Sequence, residues 1–120
     1  MTQPTPSVSE ADVERVLTRD FFDRDLLAAR AIVLDYGRES HEIEPDRVRL
    51  AALKLAAGDV QALRRHVDVA KMDFRDVLLA AEYPKAGKFM FRMDRLSPDE
   101  RQEIYDADWK QYEDWLRRAR

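Results

Sequence analysis

The sequence predicts an all-α fold: a compact bundle of about five helices, with a long central helix and an amphipathic aromatic helix at the C-terminus. Charged residues make up 38% of the 120 residues, well above the usual quarter, and only 3 glycines and 5 prolines occur. Apolar residues recur at intervals of three and four in several stretches, which is the spacing of one helix face. This combination favours amphipathic helices over strands and turns.

The length fits one domain with a modest core, and we expect residues 9–120 to form it. Residues 1–8 are rich in Pro, Thr and Ser and offer little apolar surface to bury, which predicts a disordered N-terminal tail. The chain has no cysteine, which excludes thiol chemistry and fits a reducing compartment. No apolar run approaches the roughly 20 residues of a membrane span. We therefore expect a cytoplasmic protein that does not contact a membrane.

Two helices are predicted before residue 40. Ser9 and Asp12 have the spacing of an N-cap and its N3 partner, and a narrow apolar stripe follows them. This pattern predicts a first helix over about residues 10–19. A second apolar stripe is out of phase with the first, so the chain must break between them. The second helix is predicted to begin near Asp23 and to end at Gly37 in the left-handed conformation.

Two further helices are predicted on either side of one glycine. Pro45 suits the first turn of a third helix, and Gly58 followed by Asp59 joins a helix end to the N-cap of the next helix. The most regular apolar pattern of the chain starts there. It predicts one long helix from Asp59 to about Glu82 at the centre of the bundle, with a break near Asp73 as an alternative.

The last quarter of the chain is predicted to contain a connector and a terminal helix. Residues 85–96 hold large apolar side chains without helical spacing, which favours a connector pinned to the core, with a short extended segment as an alternative. Ser97, Pro98 and Glu100 then occupy the N-cap, N1 and N3 positions of a strong helix start. The terminal helix therefore begins at a well-defined residue.

Aromatic residues of this last quarter form the candidate interaction surface, because Tyr and Trp combine a large apolar area with a polar tip. The surface comprises Phe89, Phe91, Tyr105, Trp109, Tyr112 and Trp115. The alternative is that the stripe packs the terminal helix onto its own bundle; Trp115, beside the stripe, is the better interface candidate if it is exposed. The leading hypothesis is a non-enzymatic interaction protein that binds a protein partner or a second copy of itself.

A small enzyme or ligand-binding bundle is the second hypothesis. The serines lie outside the Gly-x-Ser-x-Gly motif, the histidines lack metal-ligand spacing, and 3 glycines are too few for a phosphate-binding loop. A site would have to assemble in three dimensions, and this predicts a concave pocket that holds His41 or His66 with at least two acids. No catalytic, metal-binding or cofactor-binding residue is assigned, and no cofactor is expected.

Nucleic-acid binding is the third and least favoured hypothesis. The net charge of −3 gives no general attraction to phosphate backbones. Helices on both sides of Gly58 superficially suggest a helix-turn-helix, whose basic residues would be Arg64, Arg65, Lys71 and Arg75. Four aspartates share that segment: Asp59, Asp68, Asp73 and Asp76. Charge cancellation therefore favours a solvated face.

Two parts of the chain resemble short uncharacterised bacterial proteins that are all-helical. The first contains Val48-Arg49-Leu50-Ala51, Gly58-Asp59, Asp73-Phe74-Arg75-Asp76-Val77-Leu78 and Ala81-Glu82-Tyr83-Pro84. The second contains Leu96-Ser97-Pro98, Ala107-Asp108-Trp109 and Tyr112-Glu113-Asp114-Trp115-Leu116. The resemblance implies a self-contained small helical protein and assigns neither an activity nor functional residues.

Overall fold

The fold is all-helical, as the sequence predicts. The structure, a computed structural model, describes residues 5–119, apart from the side chains of Met90 and Phe91. Seven α-helices and a 3₁₀ helix occur in these residues, rather than about five helices, and no strand does. Their bounds are α1 Glu10–Asp20, α2 Asp23–Leu34, α3 Pro45–Ala56, α4 Val60–Met72, α5 Phe74–Glu82, α6 Pro84–Lys88, the 3₁₀ helix Met90–Arg95 and α7 Pro98–Arg117.

The prediction of one helix from Asp59 to Glu82 is wrong, because the segment breaks at Asp73. This residue has extended backbone angles (φ −154°, ψ 98°), and its N–H donates to the carbonyl of Val69 to end α4. Its carboxylate accepts the N–H of Arg75 and so caps the start of α5. A break near Asp73 was the alternative that the sequence pattern allowed. It arises because an aspartate side chain competes with the helical main chain for hydrogen bonds.

The centre of the bundle is α3, not the segment that follows it. This helix packs against α1, α2, α4 and α5. Its buried residues lie on more than one side: Val48, Leu50, Ala51, Ala52, Leu53 and Ala56. A helix that is apolar all round belongs inside a protein. The alanines also let neighbouring helices approach closely, which explains how a 12-residue helix contacts four others.

The predicted helix boundaries at Gly58 and Ser97 are confirmed. Gly58 has φ 83°, and the Asp59 carboxylate accepts the N–H groups of the first turn of α4 at 2.8 and 3.1 Å. At the start of α7, the Ser97 hydroxyl accepts the N–H of Glu100 at 3.1 Å. The Glu100 carboxylate in turn accepts the N–H of Ser97 at 3.1 Å. Both boundaries are formed by residues that are close together in the sequence, and they can therefore be predicted from the sequence.

Residues 84–88 and 90–95 are helical, contrary to the connector predicted over 85–96. Asp108 of α7 is buried, and its carboxylate accepts the N–H groups of Lys85 at 2.9 Å and Ala86 at 2.8 Å. These groups lie in the first turn of α6 and have no partner inside that helix. The cap of α6 is therefore supplied by a residue of another helix, 22 positions away in the sequence.

Both termini lie against the bundle within the described residues. Of the predicted tail, residues 1–4 lie outside the described residues, while Pro6 is buried and Val8 packs against the core. At the other end, Arg19 of α1 donates from Nη1 to the carbonyl of Trp115 at 2.7 Å and to that of Arg118 at 3.1 Å. Its guanidinium also lies 5.2 Å from the ring centroid of Trp115. Arg19 therefore attaches the C-terminal end of α7 to α1.

Candidate functional site

The predicted aromatic surface is partly core. Tyr112 is 1% exposed and Trp115 is 9% exposed, and their ring centroids lie 5.5 Å apart. Trp115 therefore does not meet the condition of exposure that made it the better interface candidate. These two side chains pack α7 onto the bundle, which is the alternative that the sequence left open.

The other members of the predicted surface are less buried. Phe89, Tyr105 and Trp109 are half-buried in the single chain. The side chain of Phe91 lies outside the described residues. A contiguous exposed aromatic patch is therefore not formed by the members that the structure describes, and their role in binding stays a prediction.

A different apolar surface lies on α2. Leu27 is 78% exposed in the middle of this helix, and Ala28 and Ala31 are also exposed. Arg24 and Asp35 lie on the same side of the helix, at its first turn and at its C-cap. We call these five residues, spaced three, one, three and four apart, the α2 outer face. Such spacing places them along one side of the helix.

Between its two charged ends, the α2 outer face lacks the polar residues that a solvent-facing helix surface usually carries. Arg30 is the one charged residue from 26 to 34. It turns away toward α1, where Nη2 donates to Glu14 at 2.9 Å and Nε donates at 3.0 Å. The sequence signal for this surface was present, because Leu27, Ala28 and Ala31 are apolar residues left over from the stripe that faces the core.

The charged residues at the two ends of this surface keep unused hydrogen-bonding capacity. The Arg24 side chain is 81% exposed, lies over the Phe22 ring at 5.1 Å and is 3.9 Å from the nearest Asp25 oxygen, and among residues 5–119 it donates no hydrogen bond. Asp35 accepts from Arg64 at Oδ2 (2.9 Å), while its Oδ1 lies 3.9 Å from Lys71 Nζ and accepts no hydrogen bond from the described residues. The hydrogen bond from Arg64 lowers the pKa of Asp35, so this carboxylate is charged at neutral pH.

A concave pocket beside the loop 37–44 meets the geometric condition of the ligand-binding hypothesis. Its volume is about 380 Å³, and His41 lines it together with the acids Glu42 and Asp73. Lys71 and Arg75 complete its charged lining. His66 is not among its lining residues; it is half-buried on α4, and burial together with the charge of Arg65 lowers its pKa.

Both acids of this pocket are engaged in holding the local backbone. Oε1 of Glu42 accepts the N–H groups of residues 37, 38 and 39 at 3.0 to 3.1 Å, and Oε2 lies 2.9 Å from Lys71 Nζ. Burial would raise the pKa of Glu42, but the contacts with Lys71 and with the backbone N–H groups outweigh it and lower the pKa to about 2. Asp73 caps α5. Glu42 therefore stays ionised and cannot act as a proton carrier near neutral pH.

The basic residues of α4 and α5 do not form a continuous basic surface. Arg64 pairs with Asp35 and Asp68 at 2.9 and 2.7 Å. Lys71 pairs with Glu42, and Arg75 pairs with Asp73 at 3.0 Å. Three of the four cations that a nucleic-acid surface would need thus lie beside acids, which weakens phosphate attraction.

In the part of the chain that the structure describes, no three His, Asp or Glu side chains converge in a way that could hold a metal ion. None of its helices combines the length and the apolar character needed to cross a bilayer.

No protein-family model, curated protein or solved structure matches the chain. The resemblance to short bacterial proteins therefore stays a prediction.

Proposed function

We propose that the protein is a non-enzymatic, cytoplasmic interaction module that binds a protein partner through the α2 outer face. The observation that carries this proposal is Leu27, a large apolar side chain that is 78% exposed in the middle of a well-packed helix. Full burial of a leucine is favourable by about 1.5–3 kcal/mol, so a partner that covers it gains affinity. The absence of cysteine is compatible with a cytoplasmic location.

The proposal places the interface on α2 rather than on the terminal helix. Tyr112 and Trp115 already pack inside the chain, so they cannot be covered by a partner without reopening the bundle. Leu27, Ala28 and Ala31 need no rearrangement, because they are exposed as they stand. An interface formed by preordered residues has a smaller entropic cost than one that must refold.

The pocket at His41 supports an enzyme less well. Its two acids have structural partners, and Lys71 already contacts Glu42 and donates to the backbone carbonyl of Asp35 at 2.9 Å. A catalytic group needs a reacting atom within hydrogen-bonding reach and a pKa near the working pH. His41 lines the pocket but is exposed, and no acid of the pocket is left without a structural partner to orient it.

Site-specific photocrosslinking tests the proposal in the cells that naturally produce the protein. The photoreactive amino acid p-benzoylphenylalanine replaces Leu27 in the full chain, and ultraviolet light then traps what lies on the α2 outer face. We expect a discrete adduct on a denaturing gel. Met72 of α4 is the matched control position, because it is also apolar and is 88% exposed. Absence of an adduct at position 27, or equal yields at the two positions, contradicts the proposal.

A further inference from the structure

We infer that the partner of the α2 outer face is a second copy of this chain, paired antiparallel, α2 against α2. This inference rests on the proposed function and names its partner. The starting observation is a symmetry in the residue pattern. Arg24 and Asp35 are equally far from the midpoint between residues 29 and 30, and so are Ala28 and Ala31.

That symmetry is what a two-fold interface requires, because the same surface must complement itself. With the axis at the midpoint, Ala28 opposes Ala31 of the partner subunit. Two alanines at the crossing let helices approach to the shorter end of the usual 8–10 Å range. Leu27 of each copy then packs over the small residues of the other copy, and this covers the most exposed part of the face.

The charges select the antiparallel arrangement. The same axis brings Arg24 next to Asp35 of the partner subunit, and it does so twice. Arg24 donates no hydrogen bond among the described residues, and Oδ1 of Asp35 accepts none, although Lys71 Nζ of the same chain lies 3.9 Å from it. A new ion pair at Oδ1 therefore forms without breaking the hydrogen bond of Asp35 with Arg64. A parallel pair would instead place Arg24 beside Arg24. The dipoles of two helices also favour the antiparallel direction.

The size of the surface predicts a weak, concentration-dependent dimer. The 12 residues of α2 extend about 18 Å, so one helix pair covers less than the roughly 1,600 Å² of a standard interface. Phe22 adds area at the edge, since it is 67% exposed beside Arg24. The monomer and the dimer are therefore expected to exchange rapidly, with both populated at micromolar concentrations.

Sedimentation velocity of the purified full chain over a wide concentration range tests self-association. We expect the average sedimentation coefficient to rise with concentration. Leu27→Lys places a charge at the centre of the interface and is expected to weaken association by about tenfold or more. Met72→Lys makes the same change at an exposed residue of α4 and should leave association unchanged. Circular dichroism establishes that both variants are folded.

Disulfide trapping tests the direction of the pair, and the absence of native cysteines makes it specific. Arg24→Cys and Asp35→Cys are prepared separately, one of them with a tag that changes its size, and are oxidised alone and as a mixture. In an antiparallel pair the two copies of position 24 are about 16 Å apart along the axis, too far for a disulfide. We expect disulfides only in the mixture. Ala107→Cys, on an exposed position of α7, should remain reduced.

The outcomes separate this inference from the proposed function. A strictly monomeric protein, or equal weakening by Leu27→Lys and Met72→Lys, overturns self-association. If photocrosslinking at position 27 still gives an adduct of another mass, the face binds a different protein and the proposed function stands. If it gives no adduct, both fail. Disulfides within Arg24→Cys alone overturn the antiparallel arrangement.

Discussion

Arg47 of α3 and Glu82 of α5 form a bidentate ion pair inside the bundle. Nη2 donates to Oε1 at 2.7 Å and Nε donates to Oε2 at 2.9 Å. The Glu82 side chain is 1% exposed, whereas that of Arg47 reaches the surface near Glu44. A carboxylate so deeply buried is tolerated because the guanidinium satisfies both of its oxygens. The pair joins the central helix to α5.

Removal of Arg47 should destabilise the fold strongly. In Arg47→Met the Glu82 carboxylate stays buried without its partner, which costs about 3–5 kcal/mol of the free energy of unfolding. Urea denaturation followed by circular dichroism measures this loss. In the double variant Arg47→Met with Glu82→Leu, two apolar side chains replace the pair, and most of the stability should return. A double variant as unstable as Arg47→Met would show that the cost lies in packing and not in the orphaned charge.

The carboxylate of Glu42 should make stability depend on acid pH. Its pKa is lowered from 4.5 to about 2, so the folded state binds this proton more weakly than the unfolded state does. The stabilisation is therefore fully present above pH 4.5 and is lost as the pH falls toward 2. Glu42→Gln should be less stable than the wild type near pH 7, by on the order of 2 kcal/mol. The difference should shrink between pH 4.5 and 2.

Urea denaturation of both proteins at a series of pH values measures this effect. Glu39→Gln is the matched control, because Glu39 is an exposed acid of the same loop. Its backbone N–H donates to the Glu42 carboxylate, whereas its side chain takes no part in this hydrogen bond. Its stability should follow the wild type throughout. If the free energies of unfolding of Glu42→Gln and the wild type differ by the same amount across this pH range, ionisation of Glu42 does not contribute to stability.

Two glycines should respond oppositely to alanine. At Gly58 the backbone has φ 83°, and an added Cβ would lie 2.7 Å from the carbonyl oxygen of Asp20. Gly58→Ala should therefore cost at least about 1–2 kcal/mol, from left-handed strain alone. At Gly87, in α6, an added Cβ meets the Leu79 side chain at 3.4 Å, and the helix gains from alanine. Gly87→Ala should be neutral or stabilising, as thermal unfolding can measure.

Arg19 should hold the end of α7 in place. Arg19→Ala removes the donors to the carbonyls of Trp115 and Arg118 together with the contact to the Trp115 ring, and we expect a loss of about 1–3 kcal/mol. Tryptophan fluorescence should shift to longer wavelength as Trp115 becomes hydrated. Arg15→Ala, on the same helix, loses an exposed contact with Asp12 at 3.3 Å and should cost less than about 1 kcal/mol. Equal losses would contradict the capping role of Arg19.

The parts of the fold that were predictable depend on short-range chemistry. Asp59 and Ser97 cap helices through atoms two or three residues away, and α3 ends at two consecutive left-handed residues, Ala57 (φ 50°) and Gly58 (φ 83°). Those signals are complete within a few residues of sequence. The helical character of α6 was not predictable in this way, because its cap comes from Asp108 across the fold.

The sequence marks Leu27, Ala28 and Ala31 as apolar residues outside the core-facing stripe, but it does not show that they are exposed. Periodicity shows which residues of a helix can face a core, but it does not show how many helices surround it. Because α3 occupies the centre, α2 contacts its neighbours on one side and leaves Leu27 and Ala31 in solvent. The aromatic residues of the terminal helix made it the predicted interface, yet Tyr112 and Trp115 are buried in the core of the same chain.

The position of α3 also determines how the protein can be divided. Its neighbours α1 and α2 precede it in the chain, whereas α4 and α5 follow it. A cut at residues 57–59 would leave α3 in a fragment without half of its covering, and the other fragment would expose the apolar side of α4 and α5. Neither piece could retain a core alone. The two fragments should instead regain structure only when mixed, and the intact chain should unfold in a single cooperative transition.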